Sequence, residues 1–389
     1  MKISNPFNVT ELYRLLGLWL LWSLGLWLLA MLAPQLLSFQ PSFPYASELR
    51  DYGLPASITN LANFDGVHYL GLAERGYVGT GLVQAFFPLW PLLIGAGARL
   101  LDNTLLAGVL LGQILALTSL LSFYYLLRLH FSQTVAWRAS LALLLFVSSF
   151  YLRAVYNEAL FLTLLCGALA AGHRRHYWLA GALAALASAT RIVGIGLWPT
   201  LLLLVWLQDR RQYLAYVQVS LAPLGLFAYM LYLQLQFGDP LYFLTVQSDF
   251  GASRQSSLVS LPQVIWRYLK ILWTARPFDF KYFIYVQEFL LSLATGAALL
   301  AASWRTWRQR ADSKHLRIFA PYLLFAVFAY LLPTLTGNFS SMPRYLLVCF
   351  VLFIYLGQLP QRWLFLYLTI SGLLLIINLL LFTQGYWVA

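Results

Sequence analysis

Long apolar runs separated by short polar stretches set the pattern of this chain. Leu15 to Leu37, Leu105 to Leu127, Ala215 to Leu235, Phe289 to Ser303, Phe319 to Leu335 and Trp363 to Phe382 are almost continuously apolar. Several reach the roughly 20 residues that a helix needs to cross the hydrocarbon core of a bilayer. Further apolar pieces lie at 139–151, 159–172, 177–189, 192–207 and 344–359. Together they predict an all-α polytopic membrane protein with about eleven transmembrane helices. The pieces at 177–189 and 192–207, separated by Thr190 and Arg191, are short for full spans and read as tilted half-spans meeting a cavity, or as a pair that does not fully cross.

Composition agrees with this pattern. Of 389 residues, 61% are hydrophobic and 10% charged, with a mean hydropathy of +0.73, whereas a soluble domain is about one quarter charged. The net charge of +12 raises nucleic acid as a partner, but the basic residues are scattered between apolar runs and form no single stripe, so no nucleic-acid binding is expected.

Positive-inside topology accounts for them better. Lys2 and Arg14 ahead of the first run put the N-terminus in the cytoplasm, the 34–103 loop on the outer or lumenal side and the C-terminus outside. In this arrangement fourteen of the 25 basic residues but only Glu11, Asp209 and Asp312 of the 13 acids are cytoplasmic, so carboxylates collect on the outer side. The first run is longer than a signal peptide and no small-residue cleavage site follows, so it reads as a retained helix. Cys166 and Cys349 sit within apolar runs, as small hydrophobes do, and neither a disulfide nor a metal site is expected of them.

The chain therefore reads as one transmembrane domain over 1–389, with outer loops at about 34–103 and 237–283. Residues 57–76 carry apolar positions at partly helical spacing, which predicts short interfacial helices. Trp266 and Trp273 suit another such helix in the second loop.

The densest polar cluster lies in the first of these loops, in NFDGVHYLGLAERGYVGTGLVQAFFPLWP over Asn63 to Pro91. Asp65 there reads either as a general base facing a cavity or as the N-cap of a helix running to Arg75, and the two roles can coexist. His68, three residues on, shares a helical face with Asp65 and can orient an acceptor or meet a phosphate. Glu74 is a further candidate, although Glu74-Arg75-Gly76 equally suits a helix C-terminus with a glycine cap.

Arg153, Arg191 and Arg344 each sit at the expected outer end of an apolar segment. Snorkelling to the headgroups explains Arg153 best. Arg191 in SATRIVGI and Arg344 in SSMPRYLL are flanked by turn residues and suit a lipid-linked phosphate, with Tyr345 beside the second. Glu158 in YNEALF is placed to complement a helix dipole or to enter a site. No P-loop, dinucleotide fingerprint, HExxH or DxD is present, so neither a cofactor nor a metal is expected.

FDGVHYLGLAERGY followed by AFFPLWPLL resembles the first outer loop of the PIG-V family of membrane mannosyltransferases, with Phe64 and Gly66 where that family usually has Trp and Ser. YNEALFLTLL, SATRIVGI and PRYLL are similar to its later segments. The resemblance implies the GT-C architecture and a mannosyltransferase of the hexosyltransferase class, working on the non-cytoplasmic face with inversion. It also implies a polyprenyl-phosphate (dolichol-phosphate-type) mannose donor and a lipid-linked or glycan acceptor, as in GPI-anchor biosynthesis. Asp65 would then be the catalytic base. His68, Arg191, Arg344, Tyr345, Glu158 and Glu74 would be the binding residues, with no obligate protein partner.

A compact chain without extra loops or a retention signal suits a bacterial plasma membrane with the site facing outside, or the lumenal side of the ER in a eukaryote. The alternatives are a lipid or solute transporter or flippase, which would spread polar groups through the depth of its spans, and an inactive relative serving as a scaffold.

Overall fold

Apolar sequence of this kind must close its backbone hydrogen bonds within each segment, and the computed structural model describes residues 8–77, 82–246 and 259–388, all helix, turn and loop. The reading made on Lys2 lies outside the described residues. The longer helices are α1 (Val9–Leu36), α2 (Asp65–Arg75), α3 (Leu89–Leu101), α4 (Thr104–Arg128), α5 (Gln133–Leu144), α6 (Glu158–His173), α7 (Tyr177–Ser188) and α8 (Leu197–Gln208). They are followed by α9 (Tyr213–Val219), α10 (Leu224–Phe237), α11 (Leu261–Thr274), α12 (Phe280–Arg308), α13 (Ser313–Thr334), α14 (Val351–Gly357) and α15 (Gln361–Thr383).

Among the described residues, five helices are long and apolar enough to cross a membrane: α1, α4, α12, α13 and α15. Taking the bent pair α9 and α10 as one span adds a sixth. The eleven crossings expected from apolar runs are therefore not eleven long helices. Several runs fold as helices of 10–17 residues, α3, α6 and α7 among them, and at 1.5 Å per residue these fall short of a bilayer core of about 30 Å.

Two runs predicted as single spans are broken. The 213–236 run bends by 42° between α9 and α10, where Pro223 removes a backbone donor and crowds the preceding turn. Ser188 from α7 serves this break, donating through Oγ to the Ala222 carbonyl (2.8 Å) and accepting from the Leu226 N–H (3.2 Å). Gly225 lets the backbones meet, because a Cβ there would collide with the Ala185 carbonyl. The 344–359 run begins with the short turns Met342–Tyr345 and Leu346–Val348, leaving only the seven residues of α14 as regular helix.

The chain divides into two compact units. The first comprises Met1–Val78, Pro88–Ala170 and Phe353–Val388, and the second Gly79–Phe87 and Ala171–Leu352. In the first unit α1 opens with a capping box between Asn8 and Glu11. The buried Glu11 carboxylate also accepts from Tyr124 Oη (2.9 Å) and Arg128 Nε (3.3 Å) at the end of α4, so this half-buried pair is stabilised by extra hydrogen bonds as well as charge. Trp22 Nε1 donates to the Leu144 carbonyl (2.7 Å), joining α1 to the end of α5.

The segment after α1 is built from short helices, as its spacing predicts: turns at Ala46–Arg50, Ala56–Thr59 and Asn60–Ala62, then α2. In the second unit α11 is an amphipathic helix, with Trp266 and Trp273 exposed and Val264 and Tyr268 buried. This suits the interfacial position expected of it.

Candidate functional site

The first-unit cluster is organised by Tyr156. Its hydroxyl donates to the Asn63 carbonyl (2.8 Å) and accepts from the Asp65 N–H (3.1 Å). Asn63 is buried and its Nδ2 donates to the Phe382 carbonyl at 2.8 Å. Phe64, between them, is packed by Phe43, Phe382 and Trp387, with ring centroids 4.6, 5.8 and 5.4 Å away. The aromatic cage holds Phe64 at a φ of 58°, a conformation that bulky residues seldom adopt.

This geometry corrects the capping alternative for Asp65. The N-cap of α2 is Phe64, which makes no side-chain cap bond, and Asp65 is the first helical residue. Its carboxylate lies in the first turn, where the helix dipole favours negative charge.

His68 lies one turn along the same face, and the Tyr45 ring meets it edge-on at 6.2 Å. Burial lowers the His68 pKa, opposed by the nearby charges of Asp65 and Glu48. The imidazole is therefore neutral at pH 7, which favours orienting an acceptor over pairing with phosphate. Between the depressed pKa and the ordinary value near 6.5 the unfolded chain binds more protons than the folded one, so stability falls as pH falls through that window. The His68→Gln protein is expected to lose less melting temperature than the wild type between pH 7 and pH 5, as followed by thermal unfolding in detergent.

Glu74 stands at the far end of α2, nine residues and roughly 14 Å from Asp65 along the axis. It accepts from Tyr52 Oη (2.7 Å). Gly76 follows with a φ of 69° and donates to the Leu72 carbonyl, closing the helix as the sequence reading allowed. Burial and the Glu74 carboxylate raise the Tyr52 phenol above the ordinary tyrosine range. Glu158 is the first residue of α6 and buried, two residues after the Tyr156 that binds Asp65.

In the second unit, the structure brings Arg191 and Arg344 together on one aromatic ring. The Arg191 and Arg344 guanidinium carbons lie 5.2 and 5.4 Å from the centroid of Tyr345, within cation–π range. Arg191 occupies the extended break between α7 and the turn Ile192–Gly196. That turn packs so closely that a Cβ on Gly194 would come within 2.5 Å of the Ala187 carbonyl group.

Arg344 lies in the buried turn Met342–Tyr345. Two guanidinium groups sharing one ring present a concentrated positive field, the arrangement a phosphate requires.

The residue that holds this turn went unnoticed in the sequence. Glu288, on α12 and only 1% exposed, accepts from the Ser341 N–H (3.0 Å) and from Tyr268 Oη (2.7 Å). Ser341 precedes Met342 in the left-handed conformation at a φ of 65°, so the Glu288 carboxylate fixes the strained entry to the Arg344 turn. Burial and Glu288 raise the Tyr268 phenol above its ordinary range, so it remains a donor. A lone acid inside an otherwise apolar helix is the signal that marks such a residue. Among the described residues, no three His, Cys, Asp or Glu side chains group as a metal-ligand set.

The apolar helices define a polytopic membrane protein. Residues 42–198 match the family described as Mannosyltransferase (PIG-V). Over 308 residues the chain is 28% identical to GPI alpha-1,6-mannosyltransferase 2 of Rattus norvegicus, covering 69% of this chain and 62% of the relative. These findings support membership of the PIG-V family. The chain thus spans less than two thirds of the curated relative's length, and no solved structure matches it.

Proposed function

We propose that the protein transfers a mannosyl residue from a polyprenyl-phosphate donor to a hydroxyl of a lipid-linked or glycan acceptor, with inversion. The observation that carries this reading is that the matched family segment, 42–198, contains both the Asp65 cluster and Arg191. In this mechanism Asp65 takes the proton from the acceptor hydroxyl, whose oxygen attacks the anomeric carbon from the face opposite the phosphate. The bond from that carbon to the phosphate oxygen breaks and its electron pair leaves with the polyprenyl phosphate.

The leaving phosphate passes from diester to monoester and gains negative charge. Arg191 and Arg344, aligned on Tyr345, are assigned to stabilise that charge. Neutral His68 is assigned to orient the acceptor, while Glu158 and Glu74 are secondary candidates for sugar contacts. The reaction is placed in a GT-C architecture on the outer face of a bacterial plasma membrane, or in the ER lumen of a eukaryote, without an obligate protein partner.

The anomeric configuration of the product tests the displacement. A β-linked mannosyl phospholipid donor is expected to yield an α-mannoside, read by sensitivity of the product to α-mannosidase. A β-mannoside product would overturn the single-displacement mechanism.

A further inference from the structure

Among the described residues, Arg153 has no counter-charge. It is 6% exposed, and its side chain donates from Nη1 to the Ser23 carbonyl at 2.6 Å. Its Nε is buried without an acceptor, and among the described residues no carboxylate pairs with it. The sequence placed Arg153 at the outer end of a crossing, free to snorkel. Instead α5 stops at Leu144 and the guanidinium lies against the middle of α1. Ser23 is about 21 Å from the start of a helix roughly 42 Å long, so the charge is set at the depth of the hydrocarbon core.

A cation in that position is costly unless an anion accompanies it. A clamp onto a carbonyl needs only a neutral donor, so it does not account for the charge. The surroundings are rich in donors: Ser23 Oγ and, one turn away on the same side of α1, Trp19 Nε1 are also buried without partners. Indole donates only, a hydroxyl can donate, and guanidinium presents five N–H groups, so the set is complementary to an oxyanion.

We propose that Arg153, Ser23 and Trp19 form a binding site for the phosphate group of a membrane lipid that enters laterally beside α1. Much of α1 is apolar and outward-facing, with Leu20, Leu21, Leu24, Trp27 and Leu28 exposed, and such a surface receives an acyl or prenyl chain. Local bilayer thinning lets a headgroup reach this depth. The site uses none of the residues assigned to the transfer reaction.

Thermal unfolding of the purified protein in a neutral detergent tests the assignment, with a short-chain prenyl monophosphate, the matching prenyl alcohol and inorganic phosphate as probes. Prenyl phosphate is expected to raise the wild-type melting temperature by several degrees. The shift should persist in Arg344→Gln, which disables the proposed donor site, and disappear in Arg153→Met. Without probe, Arg153→Met should melt no lower than the wild type, because it removes an uncompensated buried charge.

An equal shift with inorganic phosphate alone would overturn the lipid source in favour of a free anion. A shift lost in Arg344→Gln, or equal for the alcohol, would overturn the site. If Arg153→Met does not fold, Ser23→Ala and Trp19→Phe provide the second reading, each expected to weaken prenyl phosphate binding several-fold. Unchanged binding in both would overturn the proposal.

Discussion

Asp65→Asn is expected to lower the turnover of mannosyl transfer by roughly 10²–10⁴-fold, the range a positioned general base contributes, while donor binding stays within about threefold of wild type. The substitution keeps the size of the side chain and leaves the backbone N–H that bonds Tyr156 in place, so α2 should remain where it is. What is lost is the capacity to take the acceptor proton. Steady-state kinetics beside a donor-binding titration separate the two effects, and a rise in KM at constant kcat would move Asp65 from base to binding residue.

The second large effect is expected at Arg344. Arg344→Gln removes one of the two guanidinium groups on Tyr345 and should cost about 10²–10³ in kcat, the penalty for losing one group that stabilises developing charge. Arg344→Lys keeps the charge but not the planar fork, and should fall between the two. Arg344 is 7% exposed, so monodisperse elution of each variant must accompany the assay. A Gln variant that elutes normally and turns over at the wild-type rate would remove Arg344 from the phosphate site.

The sequence made the apolar helices, the helix at 261–274 and the glycine stop after Arg75 readable, because each follows from composition or local periodicity. It also singled out Arg191 and Arg344 by their turn-forming flanks, and both converge on Tyr345.

The breaks at Pro223 and at 342–350 were not legible, since apolar residues fill turns and helices alike once the turn is buried. Arg153 was misplaced for a related reason. The crossing thought to carry it outward ends at Leu144, a point fixed by tertiary packing and unmarked by any local signal. Glu288 carried a signal, a single carboxylate inside an apolar run, but its partner is the backbone of Ser341, 53 residues away, which one-dimensional reading does not connect.

The capping choice at Asp65 turned on one residue. Spacing alone could not show that the aromatic rings around Phe64 would hold that residue in the cap position.

The most direct measurement is transfer of labelled mannose from polyprenyl-phosphate mannose by the purified wild-type protein, in detergent with a lipid-extract acceptor pool and EDTA, with GDP-mannose as the alternative donor. The account predicts a labelled, lipid-extractable product from polyprenyl-phosphate mannose and none from GDP-mannose. Label transferred from GDP-mannose alone, or polyprenyl-phosphate mannose carried across a proteoliposome membrane without being consumed, would contradict it.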